Sequence, residues 1–244
     1  MPSRWRQVLA VVLAVFVVAA GVVVVVASGG GAESSSLSSP TSRTTPEPTP
    51  TLSVDSGCHI DAGPVQLAEV PAQVSTRVDR AWERIETWLT EHAPVTAASL
   101  RPPADDRLIM AVQRAVGVRL PPELIASLRR HDGVGADIGT AFMLAEGMYP
   151  LTADAIVDEA TVMCDVLKSI GLDGLVEGWW HGRFVPVATD YGGDLLFVDG
   201  GRLGRHYEAG DVTFDGGYAD MLERTADALW TEDPLVVNGV LQWR

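Results

Sequence analysis

Three aspartates, Asp190, Asp194 and Asp199, bracket a short glycine-rich segment near the end of the chain. Carboxylates grouped in this way suit calcium ligation, paired acid and base work, or the capping of turns. Their spacing lacks the alternation of an EF-hand loop, and aspartate is a routine turn former. Just upstream stand Trp179, Trp180 and His181, and Tyr191 sits between the first two carboxylates. Large rings beside acidic turns make binding hot spots, because they bring much contact area at little entropic cost. The expected protein-binding set is therefore Trp179, Trp180, His181, Asp190, Tyr191 and Asp194. The other reading of the tryptophan pair is that both rings close the open end of the core.

Other chemistry finds few candidates. The five histidines, His59, His92, His131, His181 and His206, are scattered without the close spacing of a helical zinc site. Cys58 and His59 are adjacent but have no companion pair. The sequence has no Gly-x-Ser-x-Gly elbow and no phosphate-cradling Gly-x-x-x-x-Gly-Lys loop, and its one lysine is Lys168. The expectation is a protein that is not an enzyme, with no catalytic residue, no metal and no cofactor. The alternative is an exported hydrolase or carbohydrate-active protein using the carboxylates of the 190–199 hairpin.

The formal charge is −14, and the first 57 residues hold three basic and three acidic groups, so the excess lies beyond them. Such a surface disfavours nucleic acid, whose affinity rests on neutralising phosphates. It suits a basic protein partner, a toxin or a cell-wall protein, through electrostatic steering; solubility alone is the plainer reading. The two cysteines, Cys58 and Cys164, form a disulfide in an outward-facing domain or remain buried thiols.

Residues 8–27 carry no charge and are almost wholly apolar. About 20 such residues cross a hydrocarbon core of about 30 Å as a helix. Arg4 and Arg6 precede the span and no basic residue follows until Arg43, so the positive-inside rule keeps residues 1–7 cytoplasmic. The expected protein is a single-pass signal-anchored protein of the cell membrane with its C-terminal domain outside. Cleavage after the apolar run, and secretion, is the alternative. Residues 28–57 read as a disordered Ser/Thr/Pro/Gly linker, and residues 58–244 as one domain.

Within that domain, Val74, Val78, Trp82, Ile85 and Leu89 recur at helical spacing. Pro102-Pro103 and Pro121-Pro122 each open a further helix, the first with Asp105 and Asp106 in its opening turn and the second closing at Gly133. Ala141–Leu144 reads as a short strand. Thr152 caps a helix reaching Ile170, with Ile156, Ala160, Met163, Leu167 and Ile170 as its apolar run. Residues 184–188 and 195–198 form a hairpin about Asp190-Tyr191-Gly192-Gly193, with Pro186 at an edge, a bulge or an unbonded site. A strand near 205–208 and a helix from Tyr218 to Trp230 follow.

The order of these elements resembles the SUKH superfamily, specifically its Smi/Knr-type branch. The residues that carry it are Trp82, Ile85, Glu86, Trp88 and Leu89; Leu100 with Pro102-Pro103-Ala104; and Gly117 to Pro121. They continue with His131-Asp132-Gly133, then Phe184 to Asp194 leading into Phe197-Val198-Asp199. The likeness covers roughly residues 75–232. It implies an α+β fold with helices packed around a central, mostly antiparallel sheet. It also implies a non-enzymatic protein-binding module. Many bacterial members are immunity proteins that neutralise toxins, and yeast relatives regulate cell-wall assembly. A membrane-tethered copy departs from the cytosolic setting typical of family immunity proteins.

Overall fold

The computed structural model describes Cys58 and residues 66–135, 137–171, 178–210 and 212–243. The chain divides into two units, Met1–Thr49 and Pro50–Arg244, and the described residues all belong to the second. Among them no helix is long and apolar enough to cross a membrane. The expected span at 8–27 and most of the expected linker lie outside the described residues.

Helix α1 (Ala72–His92) carries the predicted stripe, with Val78, Trp82, Ile85 and Leu89 buried. A short helix α2 (Pro94–Ala97) follows. Helix α3 (Asp106–Val116) begins where Asp105 accepts a hydrogen bond from the Leu108 amide at 2.8 Å. That side chain satisfies one of the free amides of the first turn. Gly117, with φ of 68°, ends the helix in the left-handed conformation that glycine adopts most readily. Helix α4 (Pro122–Arg130) and helix α5 (Ala153–Ile170) complete the first half, the latter capped by Thr152 as expected.

Strands β1 (Tyr149–Pro150), β2 (Val185–Thr189), β3 (Leu195–Asp199), β4 (Arg202–His206) and β5 (Val212–Phe214) form one sheet in that order. Every pairing in it is antiparallel. The register of β2 on β3 shifts between Pro186 and Ala188, so the residue without an amide proton sits at the irregularity it requires. Helix α6 (Tyr218–Thr231) buries Tyr218, Leu222, Ala226 and Leu229 as predicted. A separate hairpin of β6 (Leu235–Val237) and β7 (Val240–Gln242) was not foreseen, because its three-residue strands are too short to show a period.

Two of the expected elements need correction. Ala141–Leu144 is not a strand: the Phe142 amide donates to Ser99 Oγ and the Leu144 amide to Met148 O. Its apolar character reflects burial, not pairing, since Phe142 and Leu144 are core residues. Ile170 also leaves the buried stripe of α5, where Ile156, Met163 and Leu167 remain.

The sheet has apolar packing on both faces. Val185, Val187, Leu196, Val198 and Leu203 join α1, α4 and α6 in the main core. Leu195 and Phe197 turn to the other side and meet Cys58, Met163, Leu167, Trp180 and Phe184. Gly204 on β4 stands opposite Phe197, where an added Cβ would lie 2.3 Å from the ring. Only glycine lets the ring lie flat across the strand.

Candidate functional site

The hairpin joining β2 to β3 is held by the carboxylates that the sequence offered for binding. Asp190 Oδ1 accepts from the amides of Gly192 at 2.7 Å and Asp194 at 3.0 Å. Asp194 is occupied on both oxygens: Oδ1 accepts from the Glu208 amide at 3.0 Å, and Oδ2 from Arg205 Nη2 at 3.1 Å. Asp199 pairs with Arg183 at 3.0 Å. These groups build turns and tie strands together, which is the turn-capping reading of aspartate. The three carboxylates offered to a hydrolase are thus each engaged in holding the hairpin or its neighbours.

The structure separates the aromatic candidates. Trp180 is 1% exposed, its ring edge-on to Phe184 at 5.4 Å and to Phe197 at 5.5 Å. It belongs to the core on the back of the sheet and presents no binding surface, which corrects its place in the expected set. Trp179 is half-buried and lies edge-on to His206 at 4.9 Å. His181 is also half-buried, and its Nδ1 accepts from the Arg183 amide at 3.1 Å. Burial first, and then the Arg183 charge, push the His181 pKa below its ordinary value.

Tyr191 alone of the set stands out at the surface, 50% exposed at the hairpin tip. Its φ is 58°, in the left-handed region that side-chain-bearing residues rarely adopt. Its amide donates to Thr189 Oγ1 at 3.1 Å, and its ring lies 5.4 Å from that of Tyr149. Burial, Glu159 and Tyr149 push its hydroxyl pKa up.

Along the exposed side of α5 run Val162, Val166 and Ile170, 49%, 37% and 44% exposed. Positions four apart lie on one helix face, so these three make a continuous aliphatic stripe. By the same geometry Asp154, Asp158 and Asp165, all exposed, border the stripe. Sequence reasoning missed it by reading Ile170 as core, although the four-residue step from Val162 was visible. Tyr149 and Tyr191 thus make an aromatic pair at the β2–β3 turn, and α5 presents an aliphatic stripe with an acidic margin.

The two cysteines are brought together. Cys58 Sγ donates to the Cys164 carbonyl at 3.6 Å, and Cys164 Sγ to the Cys58 carbonyl at 3.8 Å. Both are free thiols in this structure. Burial, and Cys58 beside it, push the Cys164 thiol up to about 12, so it stays protonated at neutral pH. Among the described residues no group of three or more His, Cys, Asp or Glu side chains is placed to hold a metal.

A family model described as SMI1 / KNR4 family (SUKH-1) matches residues 103–227. The chain belongs to this family. The matched segment runs from the entry to α3 into α6 and includes Tyr149, the α5 stripe and the Tyr191 hairpin. A curated relative, a KNR4/SMI1 homolog from Eremothecium gossypii, is 38% identical over 53 residues. That stretch is 22% of this chain and 8% of the relative, so the chain spans only a small part of that protein's length. The Trp82–Leu89 helix lies ahead of the SUKH-1 match, yet its residues are structural in the same domain. Trp82 Nε1 donates to Ser127 Oγ at 2.9 Å, and Glu86 accepts from Arg130 Nε at 2.6 Å.

The His131-Asp132-Gly133 signature of the resemblance is architectural too. Asp132 Oδ1 accepts from the Ala153 amide at 2.7 Å and so fixes the start of α5. Gly133 has φ of 63°, and a Cβ there would lie 2.4 Å from Leu151 O. His131 Nε2 lies 2.7 Å from Glu86 Oε1, and Nδ1 lies 2.9 Å from Arg101 O. The motif thus anchors the helix whose outer face carries the aliphatic stripe and its acidic margin.

Proposed function

We propose that this SUKH-1 domain is a non-enzymatic protein-binding module, tethered to the cell membrane through residues 8–27 and facing outward. Its partner is a basic protein, a toxin or a cell-wall protein, that docks on Tyr191, Tyr149 and the α5 stripe. Tyr191 carries the reading. A bulky side chain held left-handed at an exposed hairpin tip costs about 1–2 kcal/mol relative to glycine, and such strain persists where function requires it. The acidic margin complements a basic surface with aliphatic residues at its centre. In an oxidising compartment the neighbouring Cys58 and Cys164 thiols are joined, closing a long loop.

The test places a photo-crosslinking residue in the full-length protein in cells, at Val166, at Tyr191 and at exposed Arg80 on α1. A basic protein captured from the first two positions and not from Arg80, and lost with Tyr191→Ala, is the expected result. Equal capture from all three positions, or none, would sink the assignment of this face. Protease added to intact cells should remove the domain while it fractionates with membranes. A protected domain or one in the soluble fraction overturns the tether.

A further inference from the structure

A groove of about 520 Å³ runs between the C-terminal ends of α1 and α6 and the β6–β7 hairpin. Trp88 and His92 wall it from α1, Trp230 from α6, and Pro234, Leu235 and Val236 from the hairpin. All six lie outside residues 103–227, so the family likeness assigns them nothing. Trp230 is 47% exposed, and its Nε1 donates to the Arg84 carbonyl at 3.3 Å, which ties the ring to α1. Trp88 is buried, with its ring centre 4.9 Å from that of His92.

The hairpin turns an open strand edge toward this groove. Asn238 and Gly239, with φ of 52° and 78°, make the two-residue primed turn that joins Val237 to Val240. The pair flanking such a turn is hydrogen-bonded, and bonded and unbonded pairs then alternate along the strands. Val236 and Leu241 are the unbonded pair, so the amide and carbonyl of each point away from the other strand. On the β7 side α2 takes up this edge, where the Leu241 amide donates to Thr96 Oγ1 at 3.0 Å. On the β6 side the Val236 amide and carbonyl have no partner among the described residues. Val236 lines the groove, and Leu235 and Val237 on either side of it are exposed. Unpaired edges of this kind are templates for a further strand.

The charge around the groove selects what can add there. Asp233 lines it, and Glu91 and Glu232 stand exposed at the ends of the two helices. Both α1 and α6 end here, and helix C-termini add partial negative charge. Arg84 is paired with Asp227 at 2.7 Å. We propose that this groove binds an extended basic peptide of a partner protein, which adds a strand to β6 and lays an arginine over Trp230. The added strand bonds to the Val236 amide and carbonyl, and its side chains alternate between the rings and solvent. Arginine suits the site twice over, because its planar guanidinium stacks on an indole and its charge meets the carboxylates and helix ends. The groove shares no residue with the Tyr191 face, and the inference does not rest on that reading.

Fluorescence polarisation on the full-length protein in detergent micelles tests this with the labelled peptide Ser-Thr-Val-Arg-Val-Thr-Ser. Saturable binding at about 1 mM or tighter is expected. Citrulline in place of the arginine keeps the shape and removes the charge, and should weaken binding on the order of fivefold. Trp230→Ala should weaken it about tenfold. N-methylation along the peptide should cost about tenfold at the amide that meets Val236 and little at the two beside it. This last comparison leaves the protein unaltered, so it holds even where a variant fails to fold. Indifference to Trp230→Ala, equal affinity for the citrulline peptide, a flat N-methylation profile or no saturable binding overturns the site. Self-association that Trp230→Ala abolishes, in the absence of peptide binding, gives the edge to a second copy and overturns it equally.

Discussion

His206 is 2% exposed and packed edge-on to Trp179 and Trp180, and neither ring nitrogen finds a partner among the described residues. Burial lowers its pKa below 6.5, against the opposing pull of Asp194, and His181 is lowered in the same direction. The unfolded chain therefore binds these protons more readily than the folded one. Stability should be full above pH 6.5 and fall as pH drops through the folded values. Urea unfolding at pH 7.5 and 5.5 checks this, and His206→Met should flatten the difference. A second loss should begin below pH 3.8, where Asp106 and Asp220 give up carboxylates lowered first by Arg129 and Arg77 respectively. At the same scale, Trp180 and Tyr191 should part company. Trp180→Ala removes a core ring and should cost about 3–5 kcal/mol in denaturant unfolding. Tyr191→Asn, compatible with the left-handed backbone, should change stability by less than about 1 kcal/mol and weaken partner binding at least tenfold. The sequence marked both residues but could not part them, because an aromatic beside a turn looks the same whether its ring faces the sheet or the solvent.

The helices of the domain were the most legible elements. Their apolar spacing and capping residues act locally, as Asp105, Gly117 and Thr152 show. Short pieces were not, and Ala141–Leu144 shows why: apolar residues there serve a buried turn, and no neighbouring strand was in view. The acidic face of α5 was missed for a related reason. With apolar residues on both its buried and its exposed sides, the helix shows no single apolar stripe, and Ile170 reads as a continuation of the core face. Two glycines that precede α5 give a test at this scale. Both are left-handed, but a Cβ on Gly133 meets the Leu151 backbone, whereas one on Gly147 meets open space. Gly133→Ala should cost on the order of 3 kcal/mol or more, since it also displaces the strut from Asp132 to α5. Gly147→Ala should cost about 1 kcal/mol, the conformational penalty alone. Thermal unfolding of the two variants side by side decides whether the His131-Asp132-Gly133 corner is a structural joint.

At the scale of the whole molecule, the net charge of −14 sits on the domain beyond residue 57. If the Tyr191 face receives a basic partner, raising salt from 50 to 500 mM should slow association by at least tenfold and leave dissociation nearly unchanged. Stopped-flow mixing with the captured partner separates the two rates. An unchanged association rate would return the charge to a role in solubility. The sheet has its own consequence at this scale. Strand β3 is flanked by β2 and β4 and covered on both faces, so its amides have no route to solvent short of opening both apolar clusters. In hydrogen exchange, Leu196, Phe197 and Val198 should therefore be the last amides to take up deuterium, at a rate set by unfolding of the entire domain. The edge strand β5 should exchange much earlier. A clock is built into the middle of the sheet, and any ligand or partner that grips the folded domain will slow it.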